Sequence, residues 1–198
     1  MVLKCDFCHA SSYNFDALFS SCLYSQTTAK LAAGLKFGGR VENAKFFANQ
    51  IMQRLQSQNT FNFDVITCVP LSKKGLFNRR YNQSALIALY LHKALSTFSD
   101  GGIVFVPDLL CKIKHTKPQT KLNKQQRIEN LKDCFSLNQK ALSNLAKQNI
   151  DITHKTILLV DDVATTLSTL NEVSQTLSTS GIEPKFIIAA TFTRVDIV

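Results

Sequence analysis

The stretch that decides the fold is residues 157–169, Ile-Leu-Leu-Val-Asp-Asp-Val-Ala-Thr-Thr-Leu-Ser-Thr. The continuous apolar run from Thr156 to Val160 predicts a strand that is buried on both faces of a parallel sheet. Two adjacent carboxylates, Asp161 and Asp162, follow this strand, and after them comes a hydroxyl-rich turn at the start of a helix. Carboxylates accept hydrogen bonds from ribose hydroxyls, and a helix start can hold a phosphate. The stretch therefore predicts a sugar-phosphate site.

Strands and helices alternate along the rest of the chain, which predicts an α/β fold with right-handed crossovers. The predicted strands are residues 15–24, 63–69, 103–113 (interrupted at Pro107), 135–137, 156–160 and 186–192. The predicted helices are residues 27–35, 42–55, 82–97 and 139–148, followed by one that carries Thr166, Leu170, Val173 and Leu177 on one stripe and stops at Gly181. Ligands of such sheets bind beyond the carboxyl ends of the strands, where the two aspartates would lie.

Length and composition favour one main domain with a small N-terminal appendage. The chain has 198 residues, of which 45% are hydrophobic, enough to bury a core. We expect residues 1–14 to form a separate CxxC segment and residues 15–198 to form the domain. The sequence contains no apolar run of about eighteen residues and begins without a secretory signal pattern, so we expect no membrane span and a cytoplasmic location.

The net charge of +9 is concentrated in two places. Between Lys112 and Lys132, seven basic residues face Glu129 alone, and the part from residue 114 to 133 is too long for an ordinary connector. The second cluster contains Lys73, Lys74, Arg79 and Arg80. Such clusters fit a polyanion partner or a solvated face. The longer segment has no aromatic residue, so nucleic acid binding there would be mainly electrostatic.

The acidic pair has two other possible roles, one structural and one catalytic. The simpler one makes Asp162 or Thr165 the N-cap of the following helix, with Asp161 as a solvated neighbour. The other is a phosphoacceptor receiver domain, which also begins with an apolar strand ending in acids. Such a domain needs several further elements, yet only 36 residues follow Asp162, so this interpretation fails.

The segment Leu158 to Leu170 resembles the ribose-phosphate signature of type I phosphoribosyltransferases, in which an apolar strand and two acids precede Thr-Thr-Gly-x-Thr. The resemblance implies that Asp161 and Asp162 hold the ribose hydroxyls of phosphoribosyl pyrophosphate. It also implies that the 5-phosphate is surrounded by Thr165, Thr166, Leu167, Ser168 and Thr169. Leu167 stands where the family usually has glycine, and its bulk is expected to hinder the approach of backbone to phosphate.

The order of further motifs resembles the ComF/GntX family of phosphoribosyltransferase-like competence proteins over nearly the whole chain. The matching pieces are Cys5-Asp6-Phe7-Cys8, Leu35-Lys36-Phe37-Gly38-Gly39-Arg40, Val69-Pro70-Leu71-Ser72-Lys73-Lys74, Arg80-Tyr81-Asn82-Gln83, the Lys/Gln/Arg/Asn segment and the acidic signature. This resemblance implies a part in natural transformation, in which the protein handles incoming single-stranded DNA in the cytoplasm. Its implied partners are that DNA and the proteins of DNA uptake or recombination.

The family resemblance also implies roles for three other segments. The pyrophosphate-side loop would use Lys73, Lys74, Arg79, Arg80, Asn82 and Gln83, with Arg80 standing where the family often has glycine. The flexible loop that closes over substrate would include Gln119, Gln126, Arg127 and Asn130. Cys5 and Cys8 form one knuckle, half of a four-ligand zinc site, so a degenerate or truncated zinc ribbon is expected rather than a complete site.

Two classes of function stay open on the sequence. The first is a DNA-uptake factor that keeps the phosphoribosyltransferase scaffold and binds a nucleotide or another phosphorylated ligand. The second is an active transferase that uses phosphoribosyl pyrophosphate with Mg²⁺, in which catalysis comes from positioning and charge neutralisation. A nucleotide-sensing regulator would use the same site without turnover. The bulk of Leu167 and Arg80 favours the first class, and Mg²⁺ is expected only together with phosphoribosyl pyrophosphate.

Overall fold

The structure is a computed structural model that describes residues 13–57, 62–98, 102–114 and 131–195. Its strands are β1 (Ala17–Leu23), β2 (Val65–Cys68), β3 (Val104–Phe105), β4 (Leu110–Lys112), β5 (Phe135–Leu137), β6 (Thr156–Ala164) and β7 (Phe186–Arg194). Its helices are α1 (Gln26–Phe37), α2 (Glu42–Gln56), α3 (Lys73–Arg79), α4 (Gln83–Leu95), α5 (Gln139–Lys147) and α6 (Ser168–Ser178). No helix within these ranges is long and apolar enough to cross a bilayer.

Five strands form one sheet in the order β1-β7-β6-β2-β3, and every neighbouring pair is parallel. The apolar run that follows Lys155 forms the centre of this sheet, because β6 pairs with β2 on one side and β7 on the other. A strand in that position is covered on both faces, which explains its unbroken apolar sequence. The predicted α/β fold with a parallel sheet flanked by helices is confirmed, and it is consistent with a phosphoribosyltransferase-like scaffold.

The two faces of the sheet bury separate hydrophobic clusters, because alternate residues of a strand point to opposite sides. Leu158 and Val160 of β6 pack in a cluster with apolar residues of α1, α2 and α4. Leu159, their neighbour on the other face, packs with α5, α6 and the two short strands β4 and β5. The result is a three-layer domain whose sheet is shielded from water on both sides.

The interruption predicted at Pro107 within residues 103–113 is confirmed, and the two parts belong to different sheets. Residues 103–113 divide into β3, which is the edge of the main sheet, and β4, which pairs antiparallel with β5 in a separate two-stranded sheet. Pro107 separates the two strands, because a proline cannot donate a ladder hydrogen bond and fixes its own φ. The strands β4 and β5 flank the basic segment, of which residues 115–130 lie outside the described ranges.

Several predicted site residues also lie outside the described ranges. These are Gln119, Gln126, Arg127 and Asn130 of the expected flexible loop, and Cys5 and Cys8 of the expected zinc ribbon remnant. Their roles, and the boundary between residues 1–14 and 15–198, stay predictions.

Helix α2 packs on the sheet through the ring of Phe47, and substitution of this residue tests that packing. Its ring is fully buried and stacks on that of Phe192 in β7, with 3.7 Å between ring centroids and an interplanar angle of 5°. We expect Phe47→Ala to lower the free energy of unfolding by about 3 to 5 kcal/mol, because it leaves a cavity at this contact. The measurement is urea denaturation. The matched control is Phe46→Ala, since Phe46 precedes it in the same helix but is half exposed; equal losses would contradict this packing.

Candidate functional site

The acidic doublet, Asp161 and Asp162, lies inside β6 rather than after it. The strand was predicted to end at Val160, but it continues to Ala164 because residues beyond the doublet still pair with β7. The neighbouring strand β2 ends at Cys68, which pairs with Val160. The doublet therefore begins one residue past the end of β2, at the carboxyl edge of the sheet, where ligands of parallel sheets bind. Both aspartates are buried.

Asp161 is held by the start of helix α4. The Ser84 hydroxyl donates a hydrogen bond to Asp161 Oδ1 at 2.8 Å, and the backbone N–H of Asp162 donates to the same oxygen at 2.9 Å. Asn82 positions this serine, because its side chain accepts from the backbone N–H of Ser84 and donates to the carbonyl of Val69 after β2. The capping residue thereby joins α4 to the same sheet edge.

Asp162 is paired with a lysine from the last turn of α1. Lys36 Nζ lies 2.8 Å from Asp162 Oδ2, and the aspartate side chain is only 4% exposed while that of Lys36 is 23% exposed. The Tyr81 hydroxyl donates to the carbonyl of Leu35, so α1 is tied to the segment before α4 at this point. A cation that is partly desolvated with its carboxylate interacts with it more strongly than a surface pair would.

Burial raises the pKa of Asp161 to about 7, and the neighbouring charge of Asp162 acts in the same direction. Lys36 and the hydrogen bonds from Ser84 and from the backbone of Asp162 oppose this rise. Two carboxylates so close together in a dry site disfavour double ionisation. The raised pKa of Asp161 means that hydrogen-bond donors or cations of a ligand would favour its charged form.

The turn after β6 brings the predicted phosphate-binding residues together. Leu167 is the N-cap of α6 and has a left-handed backbone with φ 60°, and its apolar side chain makes no capping hydrogen bond. The alternative that made Asp162 or Thr165 the N-cap is therefore wrong. The hydroxyls of Thr166 and Ser168 lie 2.9 Å apart, and Thr165 and Thr169 flank them in the chain. Because α6 begins at Ser168, Thr166 does not belong to the helical stripe predicted for it.

Leu167 does not place bulk over this turn as expected. Its side chain is 5% exposed and belongs to the hydrophobic cluster that includes Leu170 and Val173 of α6. The left-handed conformation is the one that glycine adopts without strain, and a leucine adopts it at a cost of about 1 to 2 kcal/mol. The turn thus has the backbone conformation that suits glycine, with the side chain directed into the core.

The predicted pyrophosphate-side loop is largely helical. Residues 73–79 form α3, because the Ser72 side chain accepts from the backbone N–H of Gly75 and caps the helix. The helix ends at Arg80, which also has a left-handed backbone, φ 64°. Arg79 and Arg80 line a cavity of about 590 Å³ together with Lys36 and Tyr81, and Arg80 also lines an adjoining groove of about 780 Å³. Lys73 lines the groove, and Lys74 is exposed on the same helix.

The two amide residues of that predicted loop have other positions. The side chain of Asn82 is engaged in capping α4, as described above, and Gln83 is 4% exposed. The Oε1 atom of Gln83 is buried without a hydrogen-bond partner among the described residues. Of the residues predicted for the pyrophosphate-side loop, the lysines and arginines therefore face solvent or the cavity, whereas the two amides are engaged or buried.

Metal binding at the site depends on the donor atoms that the chain offers there. The described ranges contain no group of three or more His, Cys, Asp or Glu side chains that could hold a metal ion. The doublet offers two carboxylates that are already engaged by Ser84 and Lys36. Mg²⁺ binds through one or two carboxylates when phosphates and waters supply the other oxygens. Two carboxylates are the part that a protein usually contributes to an Mg²⁺ ion held on a phosphorylated ligand, and such an ion stays a prediction here.

Two residues of the site were missed at the sequence level, Lys36 and Ser84. Lys36 is distant in sequence and reaches the doublet only because β1 and β7 are neighbours, which places α1 beside β6. Ser84 is the second residue of α4, and serine is common in a first helical turn for local reasons alone. The sequence gives only a weak indication of either role. Lys36 stands at a glycine-rich helix end, and Ser84 stands at the start of an otherwise apolar helix.

Comparison with known proteins gives two groups of relatives, although no family model matches the chain. Over 120 residues it is 34% identical to competence protein F of Haemophilus influenzae; the match covers 61% of this chain and 46% of that protein. Over 183 residues it is 28% identical to the DNA utilization protein YhgH of Salmonella typhi and 27% identical to that of Escherichia coli. Those matches cover 90% of this chain and 73% of the relatives. The chain thus spans about half the length of the first relative.

The raised pKa of Asp161 predicts a fall of stability as pH rises. The folded chain binds more protons than the unfolded chain between pH 3.8 and about 7, so the free energy of unfolding declines across this window. Asp161→Asn should flatten the decline, measured by urea denaturation at a series of pH values. The control is Asp151→Asn: this exposed carboxylate has a lowered pKa, because Thr153 donates hydrogen bonds to it, and acts below that window. If the free energy of unfolding of Asp161→Asn declined with pH as steeply as that of the wild type, the decline would not come from Asp161.

Substitution by glycine should have opposite effects on the free energy of unfolding at the two left-handed residues, Arg80 and Leu167. Arg80 is exposed, so Arg80→Gly should raise the free energy of unfolding by about 1 kcal/mol through relief of backbone strain. Leu167→Gly relieves the same strain but removes a buried side chain, and should lower that free energy by about 1 to 3 kcal/mol. Thermal or urea unfolding measures both. Stabilisation by both substitutions would show that Leu167 is not packed in the core.

Proposed function

We propose that this chain is a member of the ComF family and that it acts in competence, in the uptake and use of incoming DNA. The observation that carries the proposal is its similarity to DNA utilization proteins over 90% of its length, together with the similarity to competence protein F. More specifically, we propose that it handles single-stranded DNA in the cytoplasm together with proteins of DNA uptake or recombination. The surplus of positive charge supports a partner rich in phosphates.

The acidic doublet would serve as a ligand site in this function. Asp161 and Asp162 would accept hydrogen bonds from the hydroxyls of a ribose, and the turn from Thr165 to Thr169 would surround its phosphate. The start of α6 supports this role, because its first backbone amides point towards that turn. Lys36 already neutralises Asp162, so an incoming ligand must share the carboxylate with Lys36 or displace it.

A second candidate is an active phosphoribosyltransferase. The observation that favours it is the left-handed backbone of Leu167, which keeps the glycine-like turn while its side chain is buried away from that turn. In this reaction the chain would hold the ribose by the doublet and the diphosphate by Arg79, Arg80 and the α3 lysines. Mg²⁺, bound with the diphosphate, would supply charge neutralisation. A nucleotide sensor would use the same contacts without turnover.

The genetic test replaces the chromosomal gene with a deletion, and measures uptake of labelled DNA and recovery of transformants. We expect uptake to continue and transformants to be lost, because the proposed step follows entry of the DNA. Complementation with the wild-type gene should restore them. Normal recovery in the deletion strain would overturn the proposed function.

The ligand test is calorimetric titration with phosphoribosyl pyrophosphate and Mg²⁺. We expect binding to the wild-type protein and loss of binding in Asp161→Asn/Asp162→Asn, since both ribose contacts lose their charge. The control is Asp151→Asn, which removes an exposed carboxylate outside the site. An absence of binding by the wild-type protein would refute both the enzyme and the sensor. Release of pyrophosphate in the presence of a nucleobase would separate these two.

A further inference from the structure

The outer side of α3 combines exposed aromatic rings with positive charge. Phe77 is 86% exposed, and Phe37, the last residue of α1, is 76% exposed. The guanidinium of Arg79 lies over the ring of Phe37, 5.1 Å from its centroid, and joins the two elements. We define the α3 surface by Phe37, Lys73, Lys74, Phe77 and Arg80.

The charge of the α3 surface has one sign. Residues 73–80 contain four cations and no acidic residue. Lys73, Phe77 and Arg80 line the open groove of about 780 Å³ that adjoins the cavity next to the doublet. Two phenylalanine rings exposed to this degree contribute little to the core, and exposed apolar groups framed by charge are typical of binding surfaces.

We propose that the α3 surface binds an unpaired strand of DNA, whose bases stack on Phe77 and Phe37 while its phosphates contact Lys73, Lys74 and Arg80. This inference rests on the proposed function and names the surface that performs it. Aromatic platforms beside a positively charged groove are the usual means of binding single strands without sequence preference. Stacking of a base on Phe37 would complete a sandwich with the guanidinium of Arg79 or replace it.

Charge complementarity and the aromatic rings together favour this occupant. A duplex would satisfy the cations but keeps its bases stacked inside, out of reach of the phenylalanine rings. An acidic protein partner would also match the charge, and is the alternative that the experiment must exclude. The surface also supplies what the basic segment around residues 114–133 lacks, since that segment has no aromatic residue.

The groove is continuous with the candidate ligand site. Arg80 lines both the groove and the cavity, and Lys36, which pairs with Asp162, lines the cavity. A strand lying on the α3 surface would therefore bring its sugar-phosphate backbone to the entrance of the doublet site.

A single tryptophan reports on stacking. The chain contains no tryptophan, so Phe77→Trp introduces one fluorophore on the α3 surface, and its high exposure protects the fold from the change. We expect fluorescence quenching on titration with oligothymidylate and none with a duplex of the same length. The matched control is Phe98→Trp, because Phe98 is 73% exposed beyond the opposite end of α4. Equal quenching at both positions, or at neither, would overturn the proposal.

Affinity measurements over a salt series separate stacking from charge. Phe77→Ala should weaken binding of labelled oligothymidylate about 5- to 100-fold without changing the salt dependence, because one stacked base is lost and no phosphate contact. Lys73→Gln/Lys74→Gln should reduce the slope of log affinity against log salt by about 0.7 for each lysine that contacts a phosphate. The charge control is Lys140→Gln/Lys147→Gln on α5, where both lysines are exposed and no aromatic surface is present in the helix.

The outcomes distinguish this inference from the function on which it rests. Wild-type protein that does not bind oligothymidylate would refute single-strand binding and the α3 surface with it. Tight wild-type binding with unchanged affinity and slope in both α3 variants would refute the α3 surface alone and leave the proposed function standing. Binding that the α5 control weakens as much as the α3 double variant would show a diffuse charge effect, which also overturns the proposal.

Discussion

The ion pair between Lys36 and Asp162 is the interaction on which the site depends. Two adjacent carboxylates are buried at the edge of the central strand, and the only cation that the structure places against them, among the described residues, is this lysine. Burial of a charge without a partner is costly enough to unfold a marginally stable domain. The position of α1 is therefore fixed by electrostatics as well as by packing, and β1 must lie beside β7 to bring it there.

The pair also determines what the site can bind. Asp161 is held by neutral donors, the Ser84 hydroxyl and a backbone amide, whereas Asp162 is held by a charge. The two carboxyl groups therefore lie in different surroundings, one held by hydrogen bonds and one by an ion pair. In the proposed function, the pair would accept hydrogen bonds from the adjacent hydroxyls of a ribose, and the turn of hydroxyl side chains beyond it would hold a phosphate.

The central strand and its acids could be predicted from the sequence, because a run of apolar residues followed by two acids has few other solutions in an α/β chain. The helix α3 was missed, since Ser72 and a short basic stretch are equally typical of a turn. The pairing of Lys36 with Asp162 was missed because it joins residues far apart in sequence. The inward direction of Leu167 depends on its left-handed backbone, which no local pattern indicates. Phe37 and Phe77 have apolar side chains, and only the structure reveals that both are exposed.

The claim that Lys36 holds the doublet is tested most directly by a double-mutant cycle on the free energy of unfolding. Wild type, Lys36→Met, Asp162→Asn and the double variant would be unfolded with urea at neutral pH. Our prediction is that Lys36→Met destabilises the wild-type protein, that it costs much less in the Asp162→Asn background, and that the coupling energy is about 1 to 3 kcal/mol. An equal loss in both backgrounds would contradict it, because Lys36 would then contribute only through its packing.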